Sequence, residues 1–217
     1  MDTESGCAFI EVNSKGQNRI IVSAGTNRMY TEEYIKNVLE KAEAGDFVLL
    51  QNEINMVGEI IRLSHEKGCR VVFNASPIPG KPEELPLELV DIFMVNELEA
   101  AALAGTSTEG DFRDILKALQ KKYPKAAIVM TLGKEGVFYG YKEEFYSHPI
   151  FKVNAVDTTA AGDTFCGYFL AALCAEKSVE TALREASAAS AMAVSAKGAA
   201  PSIPVHSAVE EWLCGRS

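Results

Sequence analysis

The 217-residue chain has little of what several protein classes depend on. Its five cysteines, Cys7, Cys69, Cys166, Cys174 and Cys214, form an odd, scattered set without a CxxC pair. This excludes a zinc cluster or a disulfide framework and predicts free thiols in a reducing compartment. Three histidines, His65, His148 and His206, stand far apart in the chain. No apolar run approaches the roughly 20 residues needed to span a bilayer. Met1–Gly6 is polar and acidic, unlike a secretory leader, so a cytoplasmic location is expected. Positive charge is also scarce. A net charge of −9 and a pI near 5.0 argue against nucleic acid or anionic membrane as the main partner. The signatures GxxxxGK[ST], GxGxxG after a strand, and GxSxG are missing too, which leaves no P-loop, Rossmann site or hydrolase elbow to read.

What is present suits one α/β domain. Hydrophobic residues make up 47% and charged residues 24%, enough for a sizeable core. Cys7–Val12 and Arg19–Ser23 flank the polar turn Asn13–Asn18 and predict a hairpin. Thr31 caps a helix expected to run to Ala44, with Gly45-Asp46 as its stop. Short apolar strands then alternate with helices: Phe47–Gln51, helix Asn55–Lys67, Arg70–Phe73, Ile92–Val95, helix Asn96–Ala104, helix Asp111–Tyr123 and Ala126–Thr131. A second hairpin, Val137–Tyr141 with Glu144–His148, precedes alanine-rich helices at Gly162–Glu176 and Val179–Ala196 and a last helix at His206–Cys214. Such alternation predicts a doubly wound, mainly parallel sheet covered by helices, with ligands at the carboxyl ends of the strands. The opening hairpin fits that sheet poorly and is expected to project as a flap.

Candidate residues fall at strand ends and helix starts. Asp157–Phe165, DTTAAGDTF, places Ala160, Ala161 and Gly162 before a helix that carries Asp163 in its first turn. Unpaired N–H groups at a helix start make an anion site if no bulky side chain blocks them. A plain cap by Thr158 or Thr159 explains the same residues. Asn96 and Glu99, three apart at a helix start, suit a hydrated Mg²⁺, or a reciprocal cap. Thr131-Leu132-Gly133 with Gly136 suits close approach of a nucleotide, or a hairpin turn. Glu53, after the strand Phe47–Gln51, is a ligand candidate or a solvated helix-start carboxylate.

Taken together and in order, these segments resemble the ribokinase-like (PfkB) sugar kinases. The resemblance rests on SGCAFIEV, GQNRIIVSAGTN, LLQNE, FNASP, VNELEAAALAG, TLGKEGVFY, AVDTTAAGDTFCG and SAKGAAPSIP. It implies a ribokinase-like three-layer α/β domain, with residues 7–24 as a lid hairpin and 25–217 as the nucleotide-binding and catalytic core. It implies ATP-dependent phosphorylation of a sugar hydroxyl, with the 5-hydroxyl of D-ribose foremost. Relatives acting on fructose, 2-keto-3-deoxygluconate or a nucleoside share the pattern, and a non-catalytic nucleotide-binding module is the alternative of a different class. By this resemblance Asp163 is the base, and the N–H groups of Ala160, Ala161 and Gly162 are the anion hole. Glu53 touches the sugar, and Asn96 and Glu99 order Mg²⁺ through water. Asn96, Thr131, Leu132, Gly133, Lys134, Glu135, Gly136 and Gly162 line the nucleotide site, with Ser187 near the adenine. Asp157, Thr159, Ala193, Ala196, Gly198 and Ser202 hold K⁺. The lid hairpin is a possible homodimer contact. The family's first strand, glycine-rich sugar motif and part of the lid have no counterpart here. An incomplete sugar pocket and weak or no turnover by this chain alone are therefore expected.

Overall fold

The structure, a computed structural model, describes residues 3–12 and 18–216. The chain divides into two compact units, Met1–Phe93 and Met94–Ser217. In the first, β1 (Cys7–Val12) and β2 (Asn18–Ser23) pair antiparallel with Cys7 opposite Ser23 and Phe9 opposite Ile21. They form a two-stranded sheet of their own, as the poor fit to the main sheet predicted. Residues 13–17 of the expected turn lie outside the described residues. Phe9, Ile21 and Val22 are exposed on this hairpin.

Helix α1 (Glu32–Leu39) is capped by Thr31, whose hydroxyl accepts from the Tyr34 N–H at 3.2 Å. It stops five residues short of the expected Ala44. The Glu43 N–H donates to Asp46 Oδ2 at 2.9 Å, and the Gly45 N–H to the Gly68 carbonyl at 2.9 Å, with Gly45 at φ 95°. These bonds give the segment a turn in place of another helical turn. Strand β3 (Phe47–Gln51) runs parallel to β4 (Arg70–Asn74), with Phe47 opposite Arg70 and Gln51 opposite Asn74. Between them α2 (Val57–Glu66) begins two residues later than Asn55. The Asn55 side chain is committed elsewhere: it accepts from the Tyr30 N–H at 3.0 Å and donates to the Tyr30 carbonyl at 2.8 Å. Met56 then turns through a left-handed conformation, φ 61°.

Strand β5 (Ile92–Asn96) leads into the second unit. There α3 (Glu97–Ala104) ends on Gly105 at φ 72°, the left-handed stop that glycine allows without a Cβ clash. Asp111 caps α4 (Phe112–Lys122) by accepting from the Arg113 N–H at 2.8 Å. Strands β6 (Ala127–Thr131), β7 (Val137–Tyr141) and β8 (Glu144–His148) pair antiparallel in succession. The six strands are ordered β3-β4-β5-β6-β7-β8, an α/β sheet whose early members are linked through helices and whose last members form hairpins. Three helices complete the chain: α5 (Ala161–Cys174), α6 (Val179–Ala193) and α7 (His206–Cys214).

Each unit has its own buried residues. Phe73 and Phe93 meet edge to face at 6.4 Å in the first. Ile128, Met130, Phe169 and Leu183 are wholly buried in the second. Each such side chain stabilises the fold by roughly 1.5–3 kcal/mol through burial. Along α6, Ala182, Ala186, Ala189 and Ala193 are buried at helical spacing. Small side chains there let α5 and α6 approach closely, which is how α6 reaches the start of α5.

Candidate active site

The second unit carries most of the predicted residues, and α5 carries the central one. Ala160 precedes the helix at φ 60° and ψ 12°, a left-handed conformation that strains a residue with a Cβ. No side chain caps this helix start, so Thr158 and Thr159 are not its caps. Thr159 instead turns back: its N–H donates to Asp157 Oδ1 at 3.0 Å. The Ala161 N–H makes a long 3.3 Å bond to the Thr158 carbonyl. A Cβ added to Gly162 would meet nothing within 4 Å, so its side-chain face is open. Asp163 follows, exposed, in the first turn. A cleft of about 540 Å³ begins beside Asp163 and Thr164 and runs past Gly167 and Ala171 to Lys177, Glu185 and His206.

The loop before α5 is fastened to the far end of α6. The Val194 carbonyl accepts from the Val156 N–H at 2.7 Å and the Asp157 N–H at 3.2 Å. Asp157 Oδ2 accepts from the Gly198 N–H at 3.0 Å. Bonds from the Thr159 hydroxyl and N–H, then from Gly198, with Lys197 nearby, hold the Asp157 carboxyl down to about 2. Asp157, Thr159 and Gly198 are thus brought together directly. Of the other residues assigned to a cation, the Ala193 carbonyl accepts from the Ala196 N–H at 3.1 Å, and Ser202 Oγ donates to the Ala199 carbonyl at 2.8 Å.

At the start of α3 the reciprocal cap is formed. Asn96 Oδ1 accepts from the Glu99 N–H at 2.8 Å, and Glu99 Oε2 from the Asn96 N–H at 2.9 Å. Glu99 is buried, 8% exposed, so its carboxyl has few ways to turn. After β6, Thr131 Oγ1 reaches the Val95 carbonyl at 3.4 Å, and Leu132 is buried. Gly133, Lys134 and Glu135 form a short exposed 3-10 turn. The two glycines here differ. A Cβ on Gly136 would lie 2.1 Å from the His148 carbonyl oxygen, whereas one on Gly133 would meet nothing within 4 Å. Gly136 therefore serves the packing of β8, and Gly133 leaves open space. Ser187 lies half-buried in the middle of α6. Glu53 belongs to the first unit, where it is exposed in the turn after β3.

Three features escaped the sequence. Ser190 of α6 donates to the Ala161 carbonyl at 3.0 Å. Lys177 bridges both oxygens of Glu185 at 2.7 and 2.9 Å, with His206 3.4 Å from the Lys177 nitrogen. Tyr168 stacks on His206 and donates to the Pro204 carbonyl at 2.6 Å; burial, then Glu185, pushes its phenol up. The signal available was a few polar residues on or beside alanine-rich helices, which does not say what they meet.

An open helix start with a carboxylate in its first turn, beside a cleft, is an arrangement suited to handling an anionic group next to a proton acceptor. The description "pfkB family carbohydrate kinase" matches residues 1–206, and the chain belongs to that family of ATP-dependent sugar phosphotransferases. Ribokinases are among its relatives in that family, and deoxyribokinases of Salmonella are among them too. The ribokinase of Haemophilus influenzae is 36% identical over 213 residues, which are 96% of this chain and 69% of that protein. The crystal structure of a Thermotoga maritima ribokinase superposes with a TM-score of 0.85 at 35% identity, covering 99% of this chain and 71% of that one. An Arabidopsis thaliana ribokinase complexed with ribose and ATP has a TM-score of 0.82 at 31% identity, covering 98% and 70%. Among the described residues no helix is long and apolar enough to cross a membrane.

Proposed function

We propose that this protein transfers the γ-phosphoryl group of ATP to the 5-hydroxyl of D-ribose. The observation that carries the reading is the start of α5: a left-handed Ala160, an open Gly162 and an exposed Asp163 within one turn. Asp163 takes the proton of the attacking hydroxyl, a contribution typically worth about 10²–10⁴-fold. The N–H groups of Ala160, Ala161 and Gly162 stabilise the charge on the transferred group, the electrostatic positioning that phosphoryl transfer mostly requires. The ribokinase names of the relatives, and the ribose and ATP of the Arabidopsis complex, support this substrate pair. Glu53 contacts the sugar. Thr131, Leu132, Gly133, Lys134, Glu135 and Gly136 line the nucleotide, and the open side of Gly133 supports that role. Ser187 lies near the adenine.

The Asn96–Glu99 cap already engages Asn96 Oδ1 and Glu99 Oε2. These side chains therefore suit Mg²⁺ held through its waters rather than by direct ligation. When bound, Mg²⁺ neutralises phosphate charge. Asp157 stays ionised to low pH among the carbonyl-rich turn of residues 193–202. One carboxylate with backbone oxygens, including those of Ala193, Ala196 and Gly198, with Thr159 and Ser202, suits a weakly hydrated monovalent cation such as K⁺. Residues 7–24 form the lid of a single ribokinase-like domain, and the exposed Phe9 and Ile21 support pairing of two lids in a dimer. The reading places the enzyme in the cytoplasm.

The test is a panel of ribose, fructose, 2-keto-3-deoxygluconate and nucleosides with Mg-ATP and K⁺, analysed by ³¹P NMR. Ribose 5-phosphate as the main product is expected. A preferred phosphorylation of another sugar refutes the ribose assignment, and no transfer to any of them together with no binding of Mg-ATP by calorimetry refutes the kinase reading.

A further inference from the structure

Ser190 has no assigned part in this reaction, and its surroundings give it one. It lies in a stretch of α6 where Ala188, Ala189, Ala191 and Ala193 are buried. A serine within a helix commonly folds back onto the carbonyl four residues earlier. Ser195, in the turn just after α6, does this too, donating to the Ala191 carbonyl at 2.8 Å. Ser190 instead reaches across to α5 and donates to the Ala161 carbonyl at 3.0 Å. That oxygen belongs to the rigid, planar peptide unit whose other end is the Gly162 N–H. In a trans unit the two point in opposite directions, so a donor fixed on the carbonyl fixes the direction of the N–H. Hydrogen bonds in series also polarise one another, which makes the outer N–H a stronger donor. The N–H so aimed lies at a helix start, and the side-chain face of Gly162 beside it is open.

Resting on the proposed phosphoryl-transfer reading, we propose that Ser190 is a positioning residue. Through the Ala161–Gly162 peptide it orients and strengthens the Gly162 N–H that faces the transferred phosphoryl group. The remaining ties from the end of α6 to this turn, at Val194 and Gly198, hold the preceding loop rather than the helix start. Ser190 therefore acts on α5 itself.

The test uses the full chain with Ser190→Ala and Ser190→Thr. In ¹⁵N-labelled protein, the Gly162 amide resonance is followed while inorganic phosphate is added. The expected result is a shifted Gly162 amide in Ser190→Ala, phosphate affinity reduced at least about threefold, and both restored in Ser190→Thr. Sugar phosphorylation should lose kcat by a similar factor, with KM for ATP unchanged. An unmoved Gly162 amide and unchanged phosphate affinity in Ser190→Ala overturn the positioning role, whatever the kinetics. Failure of Ser190→Thr to restore them does the same. A wild type that binds phosphate at Gly162 in a Ser190-dependent way but phosphorylates no sugar supports the positioning role and overturns the proposed reaction instead.

Discussion

Replacing Ala160 by glycine tests the turn on which the site depends, because the two alanines before Gly162 should respond with opposite signs. Ala160 sits at φ 60° and ψ 12°, where the Cβ of an L-residue crowds its own backbone at a cost of roughly 1–2 kcal/mol. Glycine removes that cost but adds backbone freedom to the unfolded chain, worth about 0.5–1 kcal/mol. The difference is a net stabilisation of about 0.5–1 kcal/mol. Ala161, one residue later, is the first helical residue and is not among the positive-φ positions. Ala161→Gly has no strain to relieve and should cost about 0.5–1 kcal/mol from glycine's added freedom alone. For a chain of 217 residues, 1 kcal/mol moves Tm by about 2–4 °C. Thermal unfolding should therefore place Ala160→Gly above the parent and Ala161→Gly below it. A destabilised Ala160→Gly, or two variants that move together, would refute the left-handed turn and with it the presentation of the Gly162 N–H.

The glycines of the 131–136 loop should separate in the same way. Gly136→Ala drives a Cβ into the His148 carbonyl oxygen at a positive φ and should destabilise by about 3 kcal/mol or more, whereas Gly133→Ala should cost about 1 kcal/mol and weaken ATP binding, both measured by denaturant titration and calorimetry. Acid should act through His148, whose imidazole is pushed below its ordinary value of 6.5 by burial first and by Arg184 as well, against a backbone hydrogen bond at Pro149. A histidine depressed in the folded state contributes stability that is present above pH 6.5 and lost as pH falls through its lowered value, so stability should decline below about pH 6.5 and His148→Phe should flatten that decline. An unchanged slope in His148→Phe would assign the acid effect elsewhere.

Much of this was legible from residue order. The hairpin β7–β8 and helix α7 have the boundaries that their patterns suggest, and Gly68 and Gly105 end helices at positive φ as glycine permits. Boundaries failed where a distant partner decided them: Asn55 was taken out of α2 by Tyr30, and α1 was cut short by Asp46 and Gly68. At the site, DTTAAGDTF located the helix start but not its cap. A threonine before a helix is an ordinary capping signal, and only the fold shows Thr159 turned toward Asp157 with Ala160 left-handed. Ser190 lay beyond reach of sequence for the same reason, since its partner is 29 residues away on another helix.

The most direct measurement is the rate at which phosphate moves from ATP to ribose in the parent chain and in Asp163→Asn. It should be followed by ³¹P NMR with Mg²⁺ and K⁺ present, with ATP affinity measured alongside. The account predicts transfer that falls by about 100-fold or more in the variant while ATP affinity is kept, because the isosteric amide keeps the space but cannot take the proton. Transfer at equal rates in both proteins would contradict Asp163 as the base, and a parent chain that neither binds ATP nor moves its phosphate to ribose would contradict the reaction itself.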